Sequence, residues 1–417
     1  MKHKMQFDIV IIGGGLSGLA AAMQAERLSD HTKIAIFESL NTLGGRVKSD
    51  QVDGFTLDHG FQVFLSDYPY ASSVFDEKEL GFEAFKPGAF VATEDGSTII
   101  GDPNREPGQL LSTIFSSVGS LSDKFKIWKL SNELKKISHD ECFNINISTR
   151  DYLKEYGFSE KIIQKFFQPF FGGIFLERDL ETSAGMFRFV FKNFAKGSAV
   201  LPKKGMQALP EYLAKQLSRT EIHVGKAIKS IEQDGKINLE NGDSVLANKI
   251  IMAADPSSLI QQLDQEVKYH STVTLYFTGS AELKKMNRLI ALDAAANSPI
   301  NNIARLDEVQ PSYAPEGKSL WSITLREEKY EVESVQIRLA EIIGCRPDDL
   351  SFLKEYRIPK ALPILEAPKY KVAEEQSQLT EKLYLAGDYL LNASIEGAMI
   401  SGKLAATAVS ESLDLKV

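Results

Sequence analysis

An α/β fold built on a parallel sheet is predicted by three observations in the first forty residues. Phe7 to Ile12 is a short β-branched run without alternation, the pattern of a strand buried on both faces. A glycine turn follows at once, Gly13-Gly14-Gly15-Leu16-Ser17-Gly18, and the next ten residues, 19–28, are rich in strong helix formers. A second strand, Lys33 to Phe37, then ends at Glu38, 20 residues beyond Gly18.

Strand, glycine turn, helix, strand and acid, in that order, read as a dinucleotide-binding unit. Each residue type has a physical task. Gly13 permits the tight turn, Gly15 lets the backbone approach a pyrophosphate, and Gly18 allows close packing of helix on strand. Leu16 and Ser17 are expected at the cofactor, and the unpaired N–H groups and positive dipole end of the helix would face the phosphates. Glu38, followed by Ser39, would accept hydrogen bonds from an adenosine ribose.

Length and charge narrow the remaining classes. At 417 residues, two or three domains are expected. With 48 Lys and Arg against 56 Asp and Glu the chain is acidic, and without a dense basic run it lacks the footprint of a nucleic-acid binder. Cys142 and Cys345 are the only cysteines and the six histidines are scattered, so no disulfide framework and no metal site are expected. A reducing, cytoplasmic location fits. The N-terminal residues carry no cleavage pattern of a signal peptide. The longest uncharged stretch, Ile9 to Ala25, is broken by three consecutive glycines, so no membrane span is expected.

Glycine motif and acid alone do not separate NAD from FAD, but later segments do. Gly44-Gly45-Arg46, Asp58-His59-Gly60-Phe61, Gly387-Asp388 and Ser394-Ile395-Glu396-Gly397-Ala398 resemble the flavoprotein superfamily of amine oxidases, protoporphyrinogen oxidases and carotene desaturases. The resemblance implies FAD, bound by a Rossmann-like domain of the glutathione-reductase-2 type with an inserted, α+β substrate domain. It implies that Gly44, Gly45 and Arg46 contact phosphates, that Gly387 and Asp388 meet the ribitol and pyrophosphate, and that Gly60, Phe61, Ile395, Glu396 and Ala398 lie along the flavin. The C-terminal helix, expected from about Met399 to Val409, would aim its N-terminus at the flavin pyrimidine, where reduction places negative charge. Leu201-Pro-Lys-Lys-Gly205-Met206 resembles the superfamily's Pro-x-Gly-Gly-Met with Lys204 in place of the first glycine, and Ala227 would meet the adenine. The FAD domain is therefore expected from 1–75, 201–263 and 371–417, and the substrate domain from 76–200 and 264–370.

Within the superfamily, 386–405 resembles the C-terminal signature of plant- and cyanobacterial-type phytoene and zeta-carotene desaturases, Asp388-Tyr389 and Ser401-Gly402-Lys403 being its specific parts. Gly60 to Pro69 resembles that branch as well, with Gln62 where its histidine stands. Amine oxidases place an aromatic residue two before the glutamate, where this chain has Ser394. No cysteine follows Tyr384 to tether a flavin, so FAD is expected to be non-covalent. Nine phenylalanines between Phe166 and Phe194 read either as a crowded core or as walls for an elongated apolar substrate, and Gly172-Gly173 among them as backbone approached closely by something.

The implied activity is transfer of a hydride from an apolar, isoprenoid or carotenoid-like substrate to flavin N5, followed by loss of a neighbouring proton. Asp58 and His59 are the candidates either to take that proton or to hydrogen-bond the cofactor. The electron acceptor implied is a quinone by the desaturase resemblance and oxygen by the amine oxidase one. An amine or porphyrinogen oxidase-like activity is the alternative, and a flavin-carrying scaffold without turnover a third reading. Finally, 121–137 carries two apolar stripes on one helix, Leu121, Phe125 and Trp128 against Ile127, Leu130, Leu134 and Ile137, with lysines between. It is sandwiched either by two protein layers or by protein and an anionic membrane surface, the latter making the chain peripheral on the cytoplasmic face.

Overall fold

β1 (Met5–Ile12) runs through the glycine turn into α1 (Leu16–Leu28) and back to β2 (Ile34–Phe37), which pairs with β1 in parallel, Ile9 against Ile34 and Ile12 against Phe37. The computed structural model describes residues 5–94, 96–101, 118–259, 266–295 and 297–413; the remainder of the expected domain pieces, including 102–117 and 260–265, lies outside the described residues. Ser244–Met252 flanks β1 on its other side in parallel, with Leu383–Leu385 parallel beyond it, while Glu221–His223 lies parallel outside β2. The absence of alternation in β1 has a direct cause. Ile9 and Ile11 enter the core shared with α1, and Val10 and Ile12 enter a second one with Ile237 and Leu239 on the opposite face. α1 begins three residues before the expected position, because Gly15 serves as its N-cap.

A short hairpin follows, β3 (Ser49–Val52) and β4 (Phe55–Asp58), turned by Asp53-Gly54 with both residues at positive φ. The second large sheet is mixed and draws its strands from 88–101 and 269–363. Its order runs from β8 (Leu350–Pro363) to β5 (Tyr269–Ser280), to β7 (Lys318–Leu325), to β6 (Ile300–Arg305), then to Ile290–Asp293, Gly88–Thr93 and Gly96–Gly101. One face is apolar: Val273, Leu275 and Phe277 pack with Trp321, Ile323 and the helix Val332–Ile343. By the two-residue period of strands, Thr272, Thr274 and Tyr276 occupy the other face, turned toward the β3–β4 hairpin, where Tyr276 Oη donates to the Asp58 carbonyl at 2.8 Å.

Three helices pack together beside the second sheet. α2 (Leu121–Lys136) opens with a Ser120/Asp123 capping box, α3 (Gln168–Phe175) carries Pro169 in its first turn, and α4 (Ala184–Lys196) lies against both. Leu130 and Leu134 of α2 are buried, and its last carbonyls are closed by the buried Lys192 ammonium of α4, 3.0 Å from Leu134 O and 2.6 Å from Ile137 O. α5 (Ile395–Ser412) starts four residues before the expected Met399, because the Ser394 hydroxyl accepts the Gly397 N–H at 3.0 Å and caps it. It crosses α1 at backbone contact: a Cβ on Gly402 would lie 2.0 Å from Ser17 O. Among the described residues no helix is long and apolar enough to cross a membrane.

Candidate functional site

One cavity of about 1800 Å³ runs from the glycine turn to the aromatic helices. Ligand pockets commonly measure about 300–1,000 Å³, so this one has room for a dinucleotide and a second molecule. At its first end Gly13, Gly15, Leu16, Ser17 and Glu38 form the wall. A Cβ on Gly15 would meet nothing closer than 3.9 Å, whereas one on Gly18 would sit 2.0 Å from Gly13 O. Gly15 therefore keeps the cavity open, and Gly18 lies off its wall where α1 packs on the turn. The first turn of α1 has neither an acidic residue nor a side-chain cap, and the buried Ser17 Oγ has no hydrogen-bond partner among the described residues. Unfilled donors beside open glycine backbone fit a pyrophosphate. Glu38 is held at 2.7 Å by Gly14 N–H and at 2.8 Å by Leu40 N–H, with Ser39 Oγ donating at 3.1 Å, which leaves lone pairs facing the cavity for a ribose. Ser39 itself is off the wall. So is Ala227, although its neighbour Lys226 donates to the Glu38 carbonyl.

Gly44, Gly45, Arg46, Gly387 and Asp388 meet across the next section of the wall. Arg46 and Asp388 are paired at 2.5 Å; burial opposes the charge on the guanidinium, and the Asp388 carboxylate outweighs it. The Gly387 N–H donates to Ser401 Oγ at 2.8 Å, so the Ser401-Gly402-Lys403 segment ties the Gly-Asp turn to α5 and α5 to α1. Tyr269 and Lys360, from β5 and β8, also border this section, Lys360 paired with Asp255 at 2.5 Å. Neither is part of a local motif, and only the pairing of distant strands brings them here.

The two proton-acceptor candidates separate. Asp58, 2% exposed, is off the cavity: its carboxylate accepts from Ser49 Oγ at 2.5 Å, Met206 N–H at 2.9 Å and Tyr313 Oη at 3.0 Å. Burial raises its pKa to about 6 against the pull of those three bonds. Its side chain buttresses the β3–β4 hairpin from behind the cavity wall. The Gly205 loop closes on the same point, a Cβ there meeting Ser49 Oγ at 2.4 Å, while Lys204 is exposed. His59 does line the cavity, beside Gly60 and Phe61, with Nε2 3.0 Å from Asp50 Oδ2 and its ring 4.5 Å from that of Tyr356.

At the N-terminus of α5, Ile395 and Ala398 are on the wall and Glu396 is turned away. Its buried carboxylate accepts from the Tyr70 and Ala71 N–H groups at 2.9 and 2.8 Å and from Tyr370 Oη at 2.9 Å, and burial pushes its pKa up. The Glu396 side chain thus clamps α5 to the 66–71 segment and to Tyr370.

The far section is aromatic. Phe166, Phe170, Phe171, Phe175, Phe191 and Phe194 line the cavity, while Phe167, Phe187 and Phe189 are fully buried behind them, so the phenylalanine cluster is both wall and core. Its glycines serve the protein itself: a Cβ on Gly172 would strike Glu177 O at 2.6 Å, and one on Gly173 the Asn301 amide at 2.2 Å. Leu121, Phe125 and Trp128 of α2, 66%, 61% and 46% exposed, open this section to solvent, and the exposed Ile364 also lines the cavity. Among the described residues no cluster of His, Cys, Asp and Glu could hold a metal ion.

Cyclohexylamine oxidase from Brevibacterium oxydans superposes over 98% of this chain and 99% of its own, with a TM-score of 0.70 at 14% identity, a likeness of fold. In sequence the chain is 23% identical to the chloroplastic/chromoplastic 15-cis-phytoene desaturase of Glycine max, over 98% of this chain and 80% of that one. It is also 23% identical to the coproporphyrinogen III oxidase of Bacillus subtilis, over 94% of both. The family model described as flavin containing amine oxidoreductase matches residues 16–410, and with the glycine turn, Glu38, the Gly-Gly-Arg and Gly-Asp turns and the α5 N-terminus gathered on one cavity, the chain belongs to that family of flavin-dependent oxidoreductases.

Proposed function

We propose that the chain binds FAD non-covalently and oxidises an apolar, isoprenoid-like molecule at a C–H bond. The observation that carries this reading is the continuity of the cavity, from dinucleotide-fitting glycines and Glu38 at one end to six phenylalanines at the other. Hydrocarbon offers a protein only buried area, and an aromatic wall supplies it. Neither Cys142 nor Cys345 lines the cavity, which supports a cofactor held without a covalent bond. When bound, the flavin supplies the hydride acceptor, its N5.

The residues of the chain position and desolvate. Gly15, Ser17 and Arg46 would hold phosphates, Glu38 a ribose, and the N-terminus of α5, with Ile395 and Ala398 on the wall, a developing negative charge. His59, on the cavity wall, would either take the proton or hydrogen-bond the cofactor. Ser394 spends its hydroxyl on capping α5 and supplies no aromatic cage for an amine.

The exposed face of α2 extends the proposal. Leu121, Phe125 and Trp128 border the cavity mouth, and Lys135 and Lys136 end the same helix. We infer that this face rests on an anionic membrane surface, from which a water-insoluble substrate enters directly. Co-sedimentation with anionic vesicles at low salt should hold the protein, and replacement of all three apolar residues by serine should release it. Retention of that variant, or no binding by the parent, overturns this part.

The function itself is tested by recording the visible spectrum, releasing the flavin by denaturation, and mixing the native protein anaerobically with polyprenoids and amines. Release of free FAD and bleaching by a polyprenoid are expected. Bleaching by an amine alone would make the protein an amine oxidase. Reoxidation of the bleached protein by a quinone or by oxygen then identifies the acceptor.

A further inference from the structure

The sheet face that floors the cavity is polar where a hydrocarbon site should be bare. Thr274 on β5, Thr324 on β7 and Asn302 on β6 stand opposite one another in register on three neighbouring strands, and Thr272 lies two residues further along β5. Thr274, Thr324 and Asn302 are 0%, 3% and 4% exposed. The Oγ1 atoms of the three threonines and Oδ1 of Asn302 have no hydrogen-bond partner among the described residues. Thr272, Thr324 and Asn302 line the cavity. The opposite face of the same strands carries Val273, Leu275, Ile303 and Ile323, so the strands themselves do not demand polar side chains.

Asn302 shows how the row is set. Its amide nitrogen lies 2.8 Å from where a Cβ on Gly173 would be, so the nitrogen side of the amide faces α3 and its oxygen is left without a donor. The row contains no cation, and His270, two residues before Thr272 on β5, is lowered in pKa by burial with Glu177 opposing the shift. The two hydroxyls and one amide on the cavity, with the Thr274 hydroxyl buried beside them, match a small neutral group that both donates and accepts, and they do not match a carboxylate or a phosphate. Buried polar atoms of this kind are ordinarily satisfied, by protein, water or ligand.

We propose that this row is a subsite for a hydroxyl or carbonyl group of the substrate, so that the molecule oxidised is an oxygenated isoprenoid and not a bare hydrocarbon. The inference rests on the cavity being the substrate site proposed above and adds the polar end of that substrate. An apolar chain would run along the phenylalanines of α3 and α4 while its oxygen is held over β5, β7 and β6, fixing which carbon faces the reacting end of the cavity.

The probes are farnesol and farnesene, one carbon skeleton with and without a hydroxyl. Binding is read from the fluorescence of Trp128, which lines the cavity, against the fully buried Trp321 as a constant background. Flavin content is read separately from the visible band. The native protein should bind farnesol about tenfold or more tightly than farnesene, the worth of one or two hydrogen bonds. The double variant Asn302→Leu/Thr324→Val should lose that preference while keeping its affinity for farnesene, and Thr324→Ser, which keeps the hydroxyl, should retain the preference. Equal binding of the two probes by the native protein means that water alone satisfies the row and overturns the proposal, as does a preference that survives in the double variant. A farnesol preference in a protein that carries no flavin would leave the subsite standing and remove the cofactor reading instead.

Discussion

Replacing Gly402 by alanine sets two effects of known size against each other. In a helix interior the substitution gains about 1 kcal/mol of propensity. At this position the added Cβ would lie 2.0 Å from Ser17 O, 2.9 Å from Ser17 C and 3.0 Å from Ala21 N, all backbone of α1, which cannot swing aside as a side chain can. To restore ordinary contact, α5 and α1 must separate by roughly 1 Å, and overpacking of this kind costs about 1–3 kcal/mol. Against rigid backbone the upper end applies, so the net loss is about 2 kcal/mol. In a chain this long that lowers the melting temperature by about 2 °C. The direction of the strain matters more than its size. It pushes on Ser17, next to Gly15 on the cavity wall, so flavin affinity should fall about tenfold in the same variant. Differential scanning calorimetry with and without flavin, and a flavin titration followed by fluorescence quenching, measure the two losses separately. A variant that melts at or above the native temperature with unchanged flavin affinity would refute the reasoning, since the two helices would then not be in contact through Gly402.

Other perturbations follow from the same contacts. The raised pKa of Asp58 means that the folded protein holds this proton more tightly than the unfolded chain does. Its contribution to stability is therefore complete below pH about 4 and is lost as pH rises through about 6, up to about 3 kcal/mol; the difference in unfolding free energy between the native protein and Asp58→Asn, measured by urea titration, should decline over that window, and a flat difference would contradict it. Lys192→Met removes the ammonium that closes the last carbonyls of α2 and should cost about 2 kcal/mol, seen as faster amide exchange at 134–137. Glu396→Gln should weaken the clamp without emptying the cofactor site, so flavin stoichiometry stays at the native value while the melting temperature falls; loss of flavin would place Glu396 back on the wall.

What the chain's sequence discloses is set by the range of the interactions involved. The glycine turn, α1 and Glu38 are legible because they follow one another within forty residues and each is required by local geometry. The second sheet is not legible in the same way, since its pairs join 88–101 to 290–293 and 269–280 to 350–363, and no local signal states which strands meet. Tyr269, Lys360 and the polar row on β5, β6 and β7 were out of reach for that reason. Adjacent motif residues also conceal a choice that only the backbone makes. At the end of β4, Asp58 turns inward to Ser49 and Tyr313 while His59 lines the cavity, as the alternation of a strand dictates. On α5 the spacing of three puts Ile395 and Ala398 on one face and carries Glu396 about 100° around, a consequence of Ser394 being the helix cap.

The same reasoning explains why the cofactor end of the cavity is easier to read than the substrate end. A dinucleotide has fixed chemistry, so the residues that fit it are fixed in type: glycine where backbone must approach, a carboxylate for a ribose, an arginine for phosphate. The substrate end is built from phenylalanines, which serve a core and a wall equally well, and which six of the nine form wall is set by how the 163–175 segment and α4 pack on one another. Apolar surface measures how much of a molecule is buried and says little about which molecule it is. Identity has to come from the few polar atoms left without partners there. Thr272, Thr324 and Asn302 are therefore the residues from which the substrate can be inferred, and the farnesol and farnesene comparison tests them directly.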